Sequence, residues 1–534
     1  MAITSSDIKI YKSLRLTDAA DGGGAMSAEE VIDGDVNNLF PDVDELAEAA
    51  GATRWRKAFG ACVADNQDTL LNAYACVLQP PEDSHQEVTL FAAAGYAEVR
   101  SEMLTRFEAG AETDASWSVV ATDSTAAVAA GYGAQVVATD PTIIYRIEAE
   151  PEDLPQVGDL MVFRQGTDEE RFLVLALAAD ETAGWSVCTL RKISGTPSFE
   201  GLGEAIYRGY LLPIGAQPLV SAGVNALAAD VDAEVGYVTV DRIRAAVSLD
   251  VDEIEPDGRA FIFRPGCLVL IHSTMVEGLP NPAVAGSTYA LARSSLAYAW
   301  VTDANGTPVS TDHYTVSLAD GEITMANPLD LSEYTQPLQV RHRIQTARQV
   351  TAISAADGLF RLYLLNPVPR DFLAADTYVS SLLQLGDQVA AASVPFDQAA
   401  WTGEWSDSVI GGGASAEYNA VNYPIEVSNA GAVSDRWRFQ FSNSSDFSCY
   451  SEVRGLISAG NTGADFAPIN PATGEPYFTL RAAGWGSGWQ GGNVLRLNTA
   501  GAAPPLWLNR TTLPGGVTPD YDAAVIEFRG YTND

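Results

Sequence analysis

Short runs of alternating apolar and polar side chains dominate the chain, and turns that contain glycine or proline separate them. A hydrophobic period of two is typical of β-strands, because successive side chains point to opposite faces of a sheet. Such runs occupy residues 160–163, 171–177 and 186–193, with a polar GTDEE turn between the first two. The pattern predicts a small antiparallel meander in this part of the chain.

The same pattern continues through the middle of the chain. Residues 260–274 predict two strands that a Pro-Gly turn separates. Residues 298–302 and 313–318, with a DANG turn between them, predict a strand–turn–strand unit. Further strands are expected at residues 322–325, after Asp320-Gly321, and at residues 340–344 and 359–365.

Helical spacing is confined to three stretches. Residues 43–60 place apolar side chains on one face, with acidic residues in the first turn and three basic residues near the end. That order of charges suits the helix dipole. Residues 97–109 also carry apolar side chains at helical spacing, and residues 221–230 form a weaker third candidate. We therefore expect few helices.

The length of 534 residues corresponds to about three or four domains at roughly 150 residues each. Changes in composition predict an N-terminal α+β domain (1–135), a small β domain (136–260), a further β domain (261–395) and an aromatic-rich C-terminal β-sandwich (396–534). The expected fold class is a mainly β multidomain protein with a few short helices. Its small domains are expected to resemble a β-barrel or a β-sandwich.

Charge narrows the possible partners. The 69 acidic residues far outnumber the 31 lysines and arginines, and the formal net charge is −38. Apolar residues make up 47% of the chain, too many for a disordered acidic tail. Binding to nucleic acid or to an anionic membrane face needs a positive surface, so we expect neither partner. The N-terminus lacks the features of a secretory signal, which predicts synthesis in the cytoplasm without membrane insertion.

Motifs of common catalytic and metal sites do not occur in the sequence. The five cysteines are scattered, which predicts small buried apolar residues and not a disulfide or zinc framework. The four histidines form no metal-binding pair, and neither a nucleotide-binding loop nor a nucleophile elbow occurs. We therefore expect no catalytic residues, no cofactor and no enzymatic activity. A glycosidase or cell-wall-degrading enzyme is the least favoured alternative.

Two acidic clusters are candidates for calcium, which takes six to eight oxygen ligands. The first cluster contains Asp33, Asp35 and Asn37. The second contains Asp250, Asp252 and Asp257. For each cluster the alternative is an ordinary solvated turn.

The C-terminal region is rich in tryptophan. The candidate aromatic residues are Trp401, Trp405, Trp485, Trp489 and Trp507. Exposed tryptophans stack on the apolar faces of sugar rings, which would make this region a glycan-binding surface. Buried tryptophans would instead fill a sandwich core or a subunit interface, where tryptophan is enriched.

Three stretches resemble a known family. They are residues 10–46, which begin IYKSLRLTDAADGGGAMS, residues 396–447, which begin FDQAAWTGEWSDSVIGGG, and residues 460–489, GNTGADFAPINPATGEPYFTLRAAGWGSGW. Together they resemble virion structural proteins from the tail modules of Mu-like transposable phages and prophages. The middle of the chain is similar more loosely, through RPGCLVLIHST, and AEAAGATRW at residues 47–55 departs from the family pattern.

The resemblance implies a baseplate or tail-tip component that acts through subunit interfaces in a symmetric assembly. The implied partners are hub, distal tail or tape-measure proteins and further copies of the chain, in a trimer or a hexameric ring. The family carries no known catalytic motif. The implied location is the virion, after assembly in the host cytoplasm. The alternative is a host-surface glycan-binding adhesin on the same virion.

Overall fold

Antiparallel sheets make up most of the structure. The computed structural model describes residues 3–35, 37–110, 112–116, 142–147, 160–165, 168–180, 185–192, 205–209, 220–222, 225–246, 259–356, 359–515 and 522–532. Strands account for 45% and helices for 6%, so the prediction of a mainly β protein is confirmed. None of the sheets in these ranges closes into a barrel, which favours the sandwich-like alternative for the small domains.

The N-terminal sheet combines strands from both ends of the chain. In spatial order it contains Val220–Ala222, Gln86–Ala92, Pro505–Thr512, Ala52–Cys62, Ile8–Arg15 and Gly23–Glu30. The strand Pro505–Thr512 comes from near the C-terminus and lies between two N-terminal strands. Its Trp507 is opposite Lys57 on one side and Phe91 on the other.

A second sheet also joins the two ends. Its three strands are Leu383–Gln388, Leu70–Gln79 and Val525–Tyr531. Residues 505–531 therefore contribute strands to sheets of the N-terminal part, although the predicted C-terminal domain spans 396–534. The domain boundaries themselves stay a prediction.

Two further large sheets lie between these ends in sequence. The meander sheet contains Glu112–Ser116, Ala205–Gly209, Leu160–Gln165, Asp168–Asp180, Trp185–Lys192 and Thr142–Ile147. The central sheet contains Asn225–Ala226, Thr377–Ser381, Leu268–Gly278, Gln339–Ala356, Leu359–Leu364 and Tyr237–Val240, with Tyr298–Thr302 paired to Gln339–Ala356. The predicted meander is confirmed, because Asp168–Asp180 pairs with both Leu160–Gln165 and Trp185–Lys192.

The C-terminal sheet is the last large one. It contains Ala391–Ala392, Val494–Ala500, Asp435–Phe441, Asp446–Ser451 and Gly455–Asn461, with Phe396–Gln398 paired to Val494–Ala500. Two small sheets complete the strands, Arg244–Ala246 with Arg259–Phe261, and Thr288–Ala290 with Glu322–Met325 and Tyr314–Ser317. The described α-helices are Glu45–Ala50 and Arg100–Gly110, and short 3₁₀ turns occupy Ser5–Asp7, Thr311–His313, Ala374–Asp376 and Ala482–Gly484.

The helix predicted at residues 43–60 is wrong beyond its first part. The helix ends at Ala50, Gly51 follows with a positive φ of 82°, and the strand Ala52–Cys62 begins there. This strand is buried on both faces from Trp55 onward. When both faces of a strand are buried, apolar and polar residues no longer alternate, and the local pattern resembles the apolar face of a helix. The sequence does not reveal this burial, because the strands that pair with Ala52–Cys62 lie elsewhere in the chain. The helix predicted at residues 97–109 is confirmed as Arg100–Gly110.

One other helix prediction is also wrong. The described residues of 221–230 form parts of two short strands and a bridge at Leu227. The two strands of the predicted strand–turn–strand unit are present, and each pairs elsewhere. Tyr298–Thr302 joins the central sheet, while Tyr314–Ser317 pairs with Glu322–Met325.

Four of the five cysteines follow the prediction. Cys62, Cys76, Cys267 and Cys449 are free and buried, and the side chain of Cys188 lies outside the described part. Burial raises the pKa of the Cys267 thiol to about 11, which keeps the thiol protonated at neutral pH. These four cysteines act as small apolar core residues.

A buried lysine stabilises the inserted C-terminal strand. The Lys57 ammonium donates to the backbone carbonyl oxygens of Gly95, Tyr96 and Glu98 at 2.9, 2.9 and 3.0 Å. Burial lowers the pKa of Lys57 to about 7. The Trp507 indole nitrogen donates to the Glu98 carboxylate at 2.9 Å, so the inserted strand and the loop beside it share one polar network.

We expect Trp507→Ala to lower the free energy of unfolding by about 3–5 kcal/mol, because it leaves a cavity where a fully buried indole packed. Urea unfolding, followed by circular dichroism, measures the change. Trp300→Ala is the control, since Trp300 is only half-buried. Equal losses of stability in the two variants would contradict a special role for the inserted strand.

Buried His272 predicts a loss of stability in acid. Burial lowers the pKa of its imidazole to about 3, so the folded state stays neutral below the ordinary pKa of about 6.5 while the unfolded state takes up a proton. This group therefore removes about 1.4 kcal/mol of stability per pH unit as the pH falls from about 6.5 towards 3. Urea unfolding of the native chain and of His272→Gln at pH 6.5 and 4.5 should show a smaller acid loss in the variant. An identical loss in both would contradict the neutral buried imidazole.

Candidate functional site

The first calcium candidate lies on an exposed loop. Asp33 and Asp35 are exposed, and Asn37, with a φ of 54°, donates its amide to Asp42 at 3.2 Å. In the part of the chain that the structure describes, no three His, Cys, Asp or Glu side chains are grouped to hold a metal. The second candidate cluster lies outside that part, and its members are Asp250, Asp252 and Asp257.

Two of the candidate tryptophans lie within hydrophobic cores. Trp489 is 2% exposed and stacks on Phe441 with ring centroids 4.3 Å apart. Trp507 is 1% exposed in the N-terminal sheet. Trp485 is half-buried and packs against the same core cluster as Trp489. These positions fit the core-filling alternative, because the indole rings are covered by other side chains of the chain.

The other two candidates lie on the opposite side of the C-terminal sheet. The strand Asp435–Phe441 buries Trp437 and Phe439 in the core cluster and turns Arg436 and Arg438 to the other side, which we call the outer face. The alternation follows directly from the two-residue period of a strand. Strand register aligns one row of residues across this face, in the order Phe396, Arg496, Arg438, Tyr450 and Leu456.

Aromatic rings surround the two arginines of this row. The Arg438 guanidinium carbon lies 4.3 Å from the centroid of the Trp401 ring and 4.2 Å from that of Tyr450. The Arg496 guanidinium carbon lies 5.2 Å from the rings of Trp401 and Trp405. Such distances are typical of cation–π contacts. The guanidinium of Arg438 therefore occupies the space over Trp401 where a sugar would otherwise stack.

The three arginines of the outer face have different polar partners. Arg436 forms ion pairs with Asp407 at 2.7 Å and Glu452 at 3.0 Å. Arg496 is fully buried and donates to neutral acceptors, the Gln398 side chain at 3.0 Å and the Ser406 carbonyl at 2.7 Å.

Arg438 differs from both neighbours. No carboxylate among the described residues lies within 4.0 Å of its guanidinium nitrogens, and its Nε is shielded from solvent without a partner. Burial lowers the pKa of both Arg438 and Arg496, although arginine stays charged at neutral pH. The outer face thus carries a pair of opposed cations that no carboxylate of the described residues contacts directly.

The tryptophans of this site were predicted as candidates from the sequence, and its arginines were not. A signal for Arg438 is present in the string Asp435–Phe441, DRWRFQF, where arginine and a buried aromatic alternate. Arg496 has no comparable signal, because its position beside Arg438 depends on pairing between strands almost 60 residues apart. Only the register of the sheet brings the two guanidinium groups together.

A shallow groove of ≈ 420 Å³ separates the N-terminal strands from the C-terminal region. Lys9 and Glu30 form an ion pair across its edge at 2.8 Å. Asp65 and Glu475 also line the groove, and Tyr11 lies at its base. The paired lysine and the open shape make it a surface depression and not an enclosed binding pocket.

Comparison with known proteins found no match to this chain among protein-family models, curated proteins or solved structures. Among the described residues, no helix is both long and apolar enough to cross a membrane. Function is therefore inferred from the residues and the geometry of this chain.

The two opposed arginines predict contrasting substitutions. Arg438→Met should change the free energy of unfolding by less than about 1 kcal/mol, because relief of like-charge repulsion offsets the lost cation–π contacts and methionine also packs well on aromatic rings. Arg496→Met should cost about 1–3 kcal/mol, because it leaves the acceptors of Gln398 and Ser406 unpaired. Urea unfolding compares the two. An equal loss of unfolding free energy in the two variants would show that Arg438 stabilises the fold as much as Arg496 does.

Proposed function

We propose that this chain is a non-enzymatic structural component of a tailed-phage baseplate or tail tip that acts through interfaces in a symmetric assembly. The observation that carries the proposal is the resemblance of residues 10–46, 396–447 and 460–489 to Mu-like virion proteins. Side chains from all three stretches meet in one hydrophobic cluster, which includes Tyr11, Met26, Phe439 and Phe466. The most distinctive parts of the sequence thus build one continuous region of the molecule.

The architecture suits a subunit that carries mechanical load. Strands from near both ends of the chain pair in two sheets, so separating the two ends requires breaking whole ladders of hydrogen bonds. Gly23–Glu30 and Gly455–Asn461 are terminal strands of their sheets in the described part of the chain. Such strand edges can pair with a neighbouring subunit.

Four exposed apolar side chains support the same proposal. Leu46 is 75% exposed, Val394 81%, Val421 92% and Leu456 63%. Single exposed apolar side chains are ordinary, but Leu456 lies on a sheet edge where a subunit contact would cover it. The proposed partners are the hub, distal tail or tape-measure proteins and further copies of this chain.

The alternative proposal is a host-surface glycan-binding module on the same virion. It finds its support in the outer face, where half-buried Trp401 and Trp405 lie near the surface. The guanidinium groups over these rings weaken this alternative, because they occupy stacking positions. A neutral glycan that binds the chain and is lost on Trp405→Ala would favour it.

Quantitative mass spectrometry of gradient-purified virions tests the leading proposal. We expect the chain to co-purify with intact tails in a fixed ratio, at a copy number that is a multiple of three. Deleting the gene should yield particles without functional tail tips. Complementation with the native chain or with Leu46→Ala should restore them, and complementation with Trp507→Ala should not.

Host cytoplasmic proteins in the same gradient fractions serve as the background control. Complete, infectious tails that lack this chain would contradict the proposal. Release of reducing sugar from cell-wall material by the purified chain would overturn it in favour of an enzyme.

A further inference from the structure

Arg438 lies in an unusual setting for this chain. Its guanidinium is opposite that of Arg496 on adjacent strands, and like charges at opposed positions destabilise a sheet. The chain has 69 acidic residues and only 31 lysines and arginines, so a carboxylate partner would be easy to supply. Neither arginine contacts a carboxylate in the described part of the structure.

Two other arginines of the C-terminal region are paired with carboxylates. Arg436 binds Asp407 and Glu452, and Arg481 binds Glu426 at 2.5 Å and Asp465 at 2.8 Å. Arg438 therefore differs from these two arginines, whereas Arg510 and Arg529 also lack an ion pair among the described residues.

The aromatic rings also fix the orientation of the Arg438 guanidinium. Trp401 and Tyr450 lie against it at 4.3 and 4.2 Å, which limits its rotation. Its Nε is buried and has no hydrogen-bond partner. Its two Nη atoms are not buried in this way, and neither donates a hydrogen bond to a described residue. Both Nη atoms are therefore open to an external acceptor.

We propose that the outer face of the C-terminal sheet contains an oxyanion-binding site in which Arg438 binds a phosphate or carboxylate group. A planar guanidinium binds two oxygens of such a group with parallel hydrogen bonds, and it loses little freedom when its plane is already fixed. The neighbouring charge of Arg496 adds attraction for an anion. Binding also relieves the repulsion between the two opposed guanidinium groups.

The ligand class follows from these contacts. The guanidinium covers one face of Trp401, so the site favours an anionic ligand over a neutral sugar that would stack on that face. Half-buried Trp405 and the exposed Leu456 at the end of the row provide apolar surface beside the anion. The site therefore suits a free oxyanion or one carried on a small saccharide. This inference does not depend on a place for the chain in a virion.

The first test is a titration of the full chain with sodium phosphate against sodium chloride at equal ionic strength. Phosphate should raise the melting temperature and change tryptophan fluorescence beyond the effect of chloride, since a ligand that binds only the folded state stabilises it. Arg438→Gln should weaken the phosphate affinity about tenfold or more, because it removes charge-assisted hydrogen bonds. Arg438→Lys should recover only part of the affinity, since an ammonium lacks the two-pronged geometry.

Arg481→Gln is the matched control, because it removes an arginine of the same region that carboxylates already neutralise. Its phosphate affinity should equal that of the native chain. Equal effects of phosphate and chloride on the native chain would overturn the proposal without reference to any variant. The proposal also fails if the folded Arg438→Gln variant binds phosphate as tightly as the native chain does.

Further probes identify the source of the anion. Glucose 6-phosphate that binds more tightly than inorganic phosphate, with no binding of glucose, supports an anionic saccharide. Equal affinities for the two phosphates support a free oxyanion. A hexaglutamate peptide that binds the native chain but not Arg438→Gln, when neither phosphate probe binds, would overturn the proposal and assign the face to an acidic protein partner.

Discussion

The structure depends on the insertion of one C-terminal strand into the N-terminal sheet. Pro505–Thr512 forms hydrogen-bonded ladders with Ala52–Cys62 on one side and Gln86–Ala92 on the other. Trp507 brings a large buried ring to the centre of that sheet, and a side chain at Gly23 would meet this ring at 2.6 Å. Gly23 also has a φ of 90°, so both space and backbone geometry require glycine there. The N-terminal sheet is therefore incomplete until residues 505–512 have been made.

The C-terminal region shows how one strand serves two purposes. The inner side chains of Asp435–Phe441 join a cluster of aromatic rings, in which Phe439, Phe447 and Phe466 pack edge to face. Such packing contributes beyond simple burial of area. The outer side chains of the same strand are arginines, and Arg438 lies with Arg496 of the next strand among aromatic rings. A rigid core on one side thus holds the cations of the other side in fixed positions.

Local patterns predicted many strands well and failed where strands are buried on both faces. The meander of Leu160–Gln165, Asp168–Asp180 and Trp185–Lys192 was predictable, because its partners are neighbours in sequence. Ala52–Cys62 was mistaken for a helix, because its partner Pro505–Thr512 lies about 450 residues away. The tryptophans of the candidate site stood out by composition. Arg438 and Arg496 did not, because only the pairing of their strands places the two arginines opposite each other.

The sequence by itself determined the mainly β class, the burial of the four described cysteines and the large negative charge. These properties follow from residue type and short-range spacing, which a single chain displays directly. Only the tertiary structure decided which strands pair, that both ends share sheets, and that two guanidinium groups lie side by side on the outer face. Those outcomes depend on contacts between distant residues, and burial of both faces of a strand outweighs any local preference for a helix.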